Sequence, residues 1–178
     1  MRKLAVVFLI VVVALSAAVG VQAFATKGKH DVKTVHLSGY NETPAINTLA
    51  TGSFTAKIDD KGQTIAYTLT YSDLSSQVLQ AHIHFGNRFS SQGVALFLCT
   101  NLGNGPAGTP ACPGTTSGTV SGTLHPSDVQ PIVTQGLTAG DWDSAVRAIR
   151  AGVAYANVHT QNWKGGEIRA QLANGHDH

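Results

Sequence analysis

The sequence predicts an all-β protein, an antiparallel sandwich or barrel with one or two short helices. Three observations predict it. Apolar and polar residues alternate with period two in a series of short segments, the mark of strands with one buried face. Gly, Pro, Asn and Asp punctuate those segments at short intervals. Only one stretch carries a clear helical stripe, and strands and helices do not alternate as in a parallel α/β fold.

The first 25 residues stand apart. "MRKLAVVFLIVVVALSAAVGVQAFA" has a basic start, an apolar run from Leu4 to Leu15, and then small residues. This is the pattern of a secretory signal peptide, with cleavage after Ala23 or Ala25. Retention as a membrane anchor is the alternative, although the uninterrupted apolar run is short for a span of about 20 residues. No later segment could cross a bilayer. Arg2 and Lys3 belong to this leader, so the rest balances ten basic against ten acidic residues. No basic stripe supports binding to nucleic acid or to an anionic membrane surface. The organisation read from the sequence is a signal peptide over 1–25, a polar lead-in over 26–32, one domain over 33–172 and a polar tail over 173–178. The expected location is outside the cell or in its envelope.

"KTVHLSGY" places Val35 and Leu37 against polar neighbours. "ATGSFTAKID" alternates Phe54, Ala56 and Ile58, and "TIAYTLTYS" alternates Ile65, Tyr67, Leu69 and Tyr71. "DDKG", residues 59–62, joins these two as a hairpin turn. "QAHIHFG" and "GVALFLC" are two further strands, and "SGTVSGTL" is a Gly- and Thr-rich one. Between them lies "CTNLGNGPAGTPAC". An exported chain meets an oxidising environment, so its two cysteines, Cys99 and Cys112, are expected to form one disulfide closing a loop with little structure of its own. A thiolate metal site would need a second cysteine pair.

In "HPSDVQPIVTQG", Ser127 offers a cap, but Pro131 permits only a short helix. "GDWDSAVRAIRAG" is a better one: Asp141 caps it, Trp142, Ala145, Val146 and Ile149 form the stripe, and Gly152 ends it. "VAYANVHT" and "GEIRAQL" return to strand alternation, giving about eight strands in all.

The chemistry lies in three polar rows. In a strand, His82 and His84 share the face opposite Ala81, Ile83 and Phe85. Tyr155, Asn157 and His159 share another face, as do Glu167, Arg169 and Gln171. If the three strands are neighbours, His82, His84, His159, Asn157, Glu167 and Arg169 converge. Three imidazoles suit copper or zinc, with Glu167 as fourth ligand or as a group orienting the others. The competing reading is a hydrogen-bonded network that only holds the sheet in register, with Glu167 and Arg169 pairing. His36 and His125 stand alone, and His30, His176 and His178 lie in the ends. "NET", residues 41–43, is a glycosylation sequon. There is no nucleophile elbow, no phosphate loop opening a helix and no HExxH, and no catalytic set is legible.

"NETPAINTLATGSFTAKID", "LQAHIHFG", "GLTAGDWDSAVRAIRAGVAYANVHT" and "GGEIRAQL" resemble the successive blocks of the chordin-type (CHRD) domain family over about residues 33–172. "FLCTNLGNGPAGTPACP" is similar to the cysteine loop of its bacterial members. Lys164, Ala170 and the single Pro44 depart from the family pattern, which bears on local turns and edges. The resemblance implies an immunoglobulin-like or superoxide-dismutase-like sandwich in an exported, single-domain protein of the microbial type. It leaves the biochemical function unassigned; the residues are read as a binding or structural module rather than an enzyme, with an unknown extracellular protein or a metal ion as partner. Growth-factor binding by chordin is usually placed in its neighbouring cysteine-rich modules and does not carry over. The "HIH" block also resembles the copper-ligand strand of copper–zinc superoxide dismutases, whose other ligands are missing here, so it hints only at a metal. A metal-dependent redox or hydrolytic enzyme would need an open coordination position as well.

Overall fold

The computed structural model describes residues 31–172. The proposed signal peptide, most of the lead-in and the tail lie outside the described residues. Eight strands are present: β1 (Asp31–Ser38), β2 (Thr51–Asp59), β3 (Thr64–Ser72), β4 (Val78–Phe85), β5 (Val94–Thr100), β6 (Gly118–Leu124), β7 (Ala154–Thr160) and β8 (Ile168–Leu172). One α-helix, α1 (Trp142–Arg150), precedes β7.

The all-β, antiparallel class holds. All eight strands belong to one hydrogen-bonded sheet in the order β5-β4-β7-β8-β1-β2-β3-β6. Instead of two separately bonded sheets, one sheet curves until its edges approach. The phenol of Tyr67 on β3 donates to the Leu98 carbonyl on β5, and that of Tyr71 donates to the Pro113 carbonyl. These bonds satisfy buried hydroxyls where the curved sheet meets itself.

The β2–β3 hairpin shows how alternation sets the core. Its register runs unbroken from Thr51 opposite Ser72 to Asp59 opposite Thr64. Asp59 accepts from the Lys61 amide at 3.0 Å and holds the turn. Phe54, Ile58, Ile65 and Leu69 are completely buried. The other face carries hydroxyl pairs across strands, Thr68 with Ser121 and Thr70 with Thr119, at 2.9 and 3.0 Å. Slipping one strand by a single residue would exchange the two sets.

Helix α1 begins where expected. Asp141 accepts from the Ser144 amide at 3.1 Å, and Trp142, Ala145, Val146 and Ile149 are buried. Gly152 follows at φ +69°, a conformation glycine adopts without penalty. Residues 125–136 form two 3-10 turns, Pro126–Asp128 and Val133–Gln135. The N-cap of the first turn is His125 in place of Ser127, and the Asp128 side chain reaches back to accept from the His125 amide at 2.8 Å.

Cys99 and Cys112 form a disulfide with their Cα atoms 4.9 Å apart. Their loop has more structure than its composition suggested. The Asn101 side chain donates to the Val78 and Cys112 carbonyls and accepts from the Cys112 amide. Replacing both cysteines with alanine is expected to cost about 3 kcal/mol, because a short loop is no longer closed in the unfolded chain. Urea unfolding of the double variant measures this, and an unchanged midpoint would contradict it.

Candidate metal centre

The three polar rows are neighbours. Strand β7 lies between β4 and β8, and the registers align them: His82 opposite Asn157 opposite Arg169, then His84 opposite Tyr155 opposite Gln171. Gln80 faces His159, which puts His159 diagonal to His82. The other face of these strands, Ala81, Ile83, Ala156, Val158, Ile168 and Ala170, belongs to the apolar core.

The polar face is buried as well, which is why every residue of β7 is inaccessible. Residues 86–93 fold over it and are held from below. Arg169 donates to the Asn87 and Ser90 carbonyls at 2.8 and 3.0 Å, and Gln171 donates to the Gly86 carbonyl at 2.8 Å. Ser91 in turn donates to the Thr43 carbonyl at 3.0 Å, tying in the segment after β1. The Arg169 guanidinium carbon lies 3.4 Å from the Tyr155 ring centroid, and the His84 ring stacks on Tyr155 at 4.7 Å. This cation–π contact helps to settle a buried charge.

His82, His84 and His159 offer ligand atoms that all lie within 4.8 Å of one another. Their hydrogens can be assigned from their partners. His84 Nδ1 lies 2.7 Å from the Gln92 carbonyl oxygen, and His159 Nδ1 lies 2.9 Å from the Lys164 carbonyl oxygen. A carbonyl only accepts, so both Nδ1 atoms carry hydrogen, and both neutral rings have a bare Nε2. His82 Nδ1 lies 3.1 Å from His159 Nε2 and must donate to it. That leaves His82 Nε2 bare, and neither it nor His84 Nε2 has a hydrogen-bond partner. Of the six ring nitrogens, two are committed to carbonyls and the other four share one hydrogen. Such a buried deficit of hydrogens suits a cation. The 3.1 Å separation also resembles the roughly 3.3 Å between two ligands of a tetrahedral ion bound at about 2.0–2.1 Å, a pair that would form once the His82 hydrogen moves from Nδ1 to Nε2.

Protons do not fill the deficit near neutral pH. Burial, then the neighbouring His159 and His84, pushes His82 down to about 2. Burial pushes His84 down to about 4, against the opposing bond to Gln92. His159 is lowered by burial too. Three neutral imidazoles, two of them with their Nδ1 hydrogens tied to carbonyls, make good ligands and poor proton donors.

Glu167 is not part of this group, which corrects its expected place as fourth ligand. Its Oε1 accepts from the Thr48 hydroxyl at 2.7 Å and the Ser75 amide at 2.9 Å, and its Oε2 accepts from the Thr160 hydroxyl at 2.8 Å. It stitches two loops to the end of β7. The expected pairing of Glu167 with Arg169 is replaced by these bonds and by the carbonyls that Arg169 holds. His36 and His125 are exposed and apart from the triad.

The residue that the sequence reading missed is Glu42. It is buried beside Arg169 and Asn157, and burial raises its carboxyl to about 7 despite the Arg169 charge. Its Oε1 has no partner. Gly166 permits this position: it sits at φ +126°, and a Cβ there would lie 2.3 Å from Glu42 Oε1. Glu42 lies in a turn without periodicity, so only its family block pointed to the segment.

Comparison with curated proteins and with solved structures gives no match. The family model of the CHRD domain matches residues 33–172, nearly the whole chain, and the protein therefore belongs to the CHRD domain family.

Proposed function

We propose that this is an exported CHRD-domain protein that holds one copper or zinc ion through His82, His84 and His159. The observation that carries this reading is the hydrogen deficit: four buried ring nitrogens share a single hydrogen, while carbonyls fix the other two N–H groups. A network serving only the fold has no use for bare, buried acceptors, which cost about 1–3 kcal/mol each. Arg169, Gln171 and Glu167 are different. Their partners are mainly loops, with Thr160 at the end of β7, and they act as the structural part of the same polar face. The Cys99–Cys112 disulfide and the leader-like first 25 residues favour an oxidising compartment outside the cytoplasm. The role is metal binding rather than catalysis.

The test is metal content. The mature protein from copper- and zinc-supplemented cells is expected to carry one equivalent of metal, and His82→Ala/His84→Ala is expected to carry almost none. Sub-stoichiometric metal, equal in both proteins, would remove the proposal. Circular dichroism of the variant separates lost ligands from lost fold.

A further inference from the structure

We infer that the Asn157 side-chain oxygen is the fourth donor of this centre, making it a three-nitrogen, one-oxygen site for a divalent ion. The inference rests on the proposed function. Asn157 is on β7, directly opposite His82 and two residues from His159, so its side chain emerges on the triad's face. It is only 2% exposed, and its Oδ1 is buried without a hydrogen-bond partner.

Its orientation follows from its neighbours. A Cβ added to Gly166 would lie 2.6 Å from Asn157 Nδ2 and 2.3 Å from Glu42 Oε1, so the NH2 group sits on the Glu42 side. The oxygen is then left to the His84 side, where the amide is within interaction range of the ring. His84 has no hydrogen to offer it, because its one N–H is given to Gln92. Two acceptors therefore meet, Asn157 Oδ1 and His84 Nε2, with nothing between them to donate. A cation between them resolves that conflict, and a carboxamide oxygen is an ordinary ligand for a hard or borderline divalent ion. With Glu167 committed elsewhere, no other His, Cys, Asp or Glu among the described residues joins the three histidines. A three-coordinate site would suit a monovalent copper ion. Adding a neutral oxygen moves the preference to zinc and other divalent ions, which favour four ligands.

Wild type, Asn157→Leu and Asn157→Asp would be titrated with Zn²⁺ and with Co²⁺, whose visible absorption reports coordination number and donor type. Asn157→Leu keeps the volume and removes the oxygen. It is expected to bind zinc 10- to 100-fold more weakly and to alter the cobalt bands. Asn157→Asp supplies an anionic oxygen. It is expected to bind zinc at least 10-fold more tightly, with shifted cobalt bands of four-coordinate intensity. If Asn157→Leu does not fold, Asn157→Asp alone decides. Cobalt bands that superimpose on wild type in the folded variants, with unchanged zinc affinity, would overturn the inference and leave the three-histidine site standing. A wild type that binds neither ion would overturn both.

Discussion

Taking the metal-free protein from pH 7 to pH 5 is expected to remove about 2 kcal/mol of stability or more. Each triad histidine is held neutral in the folded protein, with its pKa below the ordinary 6.5: about 4 for His84, about 2 for His82, and lowered for His159. In the unfolded chain all three take up protons below about pH 6.5, while in the folded protein each does so only at lower pH. The unfolded state therefore binds more protons, and stability falls with pH. At pH 5 His82 and His84 each account for about 2 kcal/mol, or about 4 for the two, and His159 acts in the same direction. Glu42 acts in the opposite sense. Its folded pKa of about 7 lies above the ordinary 4.5, so it stabilises the acid side, and that contribution disappears as pH rises from 4.5 through 7. It returns about 2 kcal/mol over the same interval. The net loss is a sizeable part of the 5–15 kcal/mol typical of a domain, and stability should fall steadily below pH 6.5. Urea midpoints at pH 7, 6 and 5 measure it. A flat profile would show that these rings are not buried as neutral bases. Saturating zinc should move the transition to lower pH, because the ion and the protons compete for the same lone pairs.

Much of this centre was legible because strands are simple objects. With a period of two, His82 and His84 must share a face, as must Asn157 with His159, and Arg169 with Gln171. The family blocks tied those rows to one domain. What alternation could not supply was the register, and the register is what places His159 diagonal to His82. The part that stayed hidden is non-local. Alternation makes Glu167 a candidate fourth ligand or orienting group because it continues the row of Arg169 and Gln171. Its partners Thr48 and Ser75 come from loops with no pattern to mark them. Glu42 was missed for the same reason. The single curved sheet was also out of reach, because strand order depends on pairings between distant segments, such as β8 with β1 and β3 with β6.

Replacing Arg169 with alanine is expected to cost about 3–6 kcal/mol, from two buried hydrogen bonds made by a charged group at about 1.5–3 kcal/mol each. Arg169 is 1% exposed and has no carboxylate bonded to it; its hydrogen bonds hold the Asn87 and Ser90 carbonyls, and its charge rests on Tyr155. Those carbonyls belong to residues 86–93, the segment that also supplies the Gln92 carbonyl to His84 and the Gln92 amide to the Tyr155 hydroxyl. Loss of the guanidinium therefore frees the clamp that points His84 Nε2 inward. Two consequences should appear together. Amides over residues 87–92 should exchange hydrogen faster, and zinc affinity should fall by about ten-fold, as when a group behind a ligand is removed. Arg169→Lys should recover little of either, because an ammonium lacks the planar fork that spans two carbonyls while stacking on a ring. Arg169→Met restores volume without charge. If it recovered both stability and metal affinity, the side chain would matter here as filler, and the loop would be held by packing alone. If it recovered stability only, the guanidinium would be what positions His84, and the structural and metal-binding halves of the polar face would be joined through this one residue.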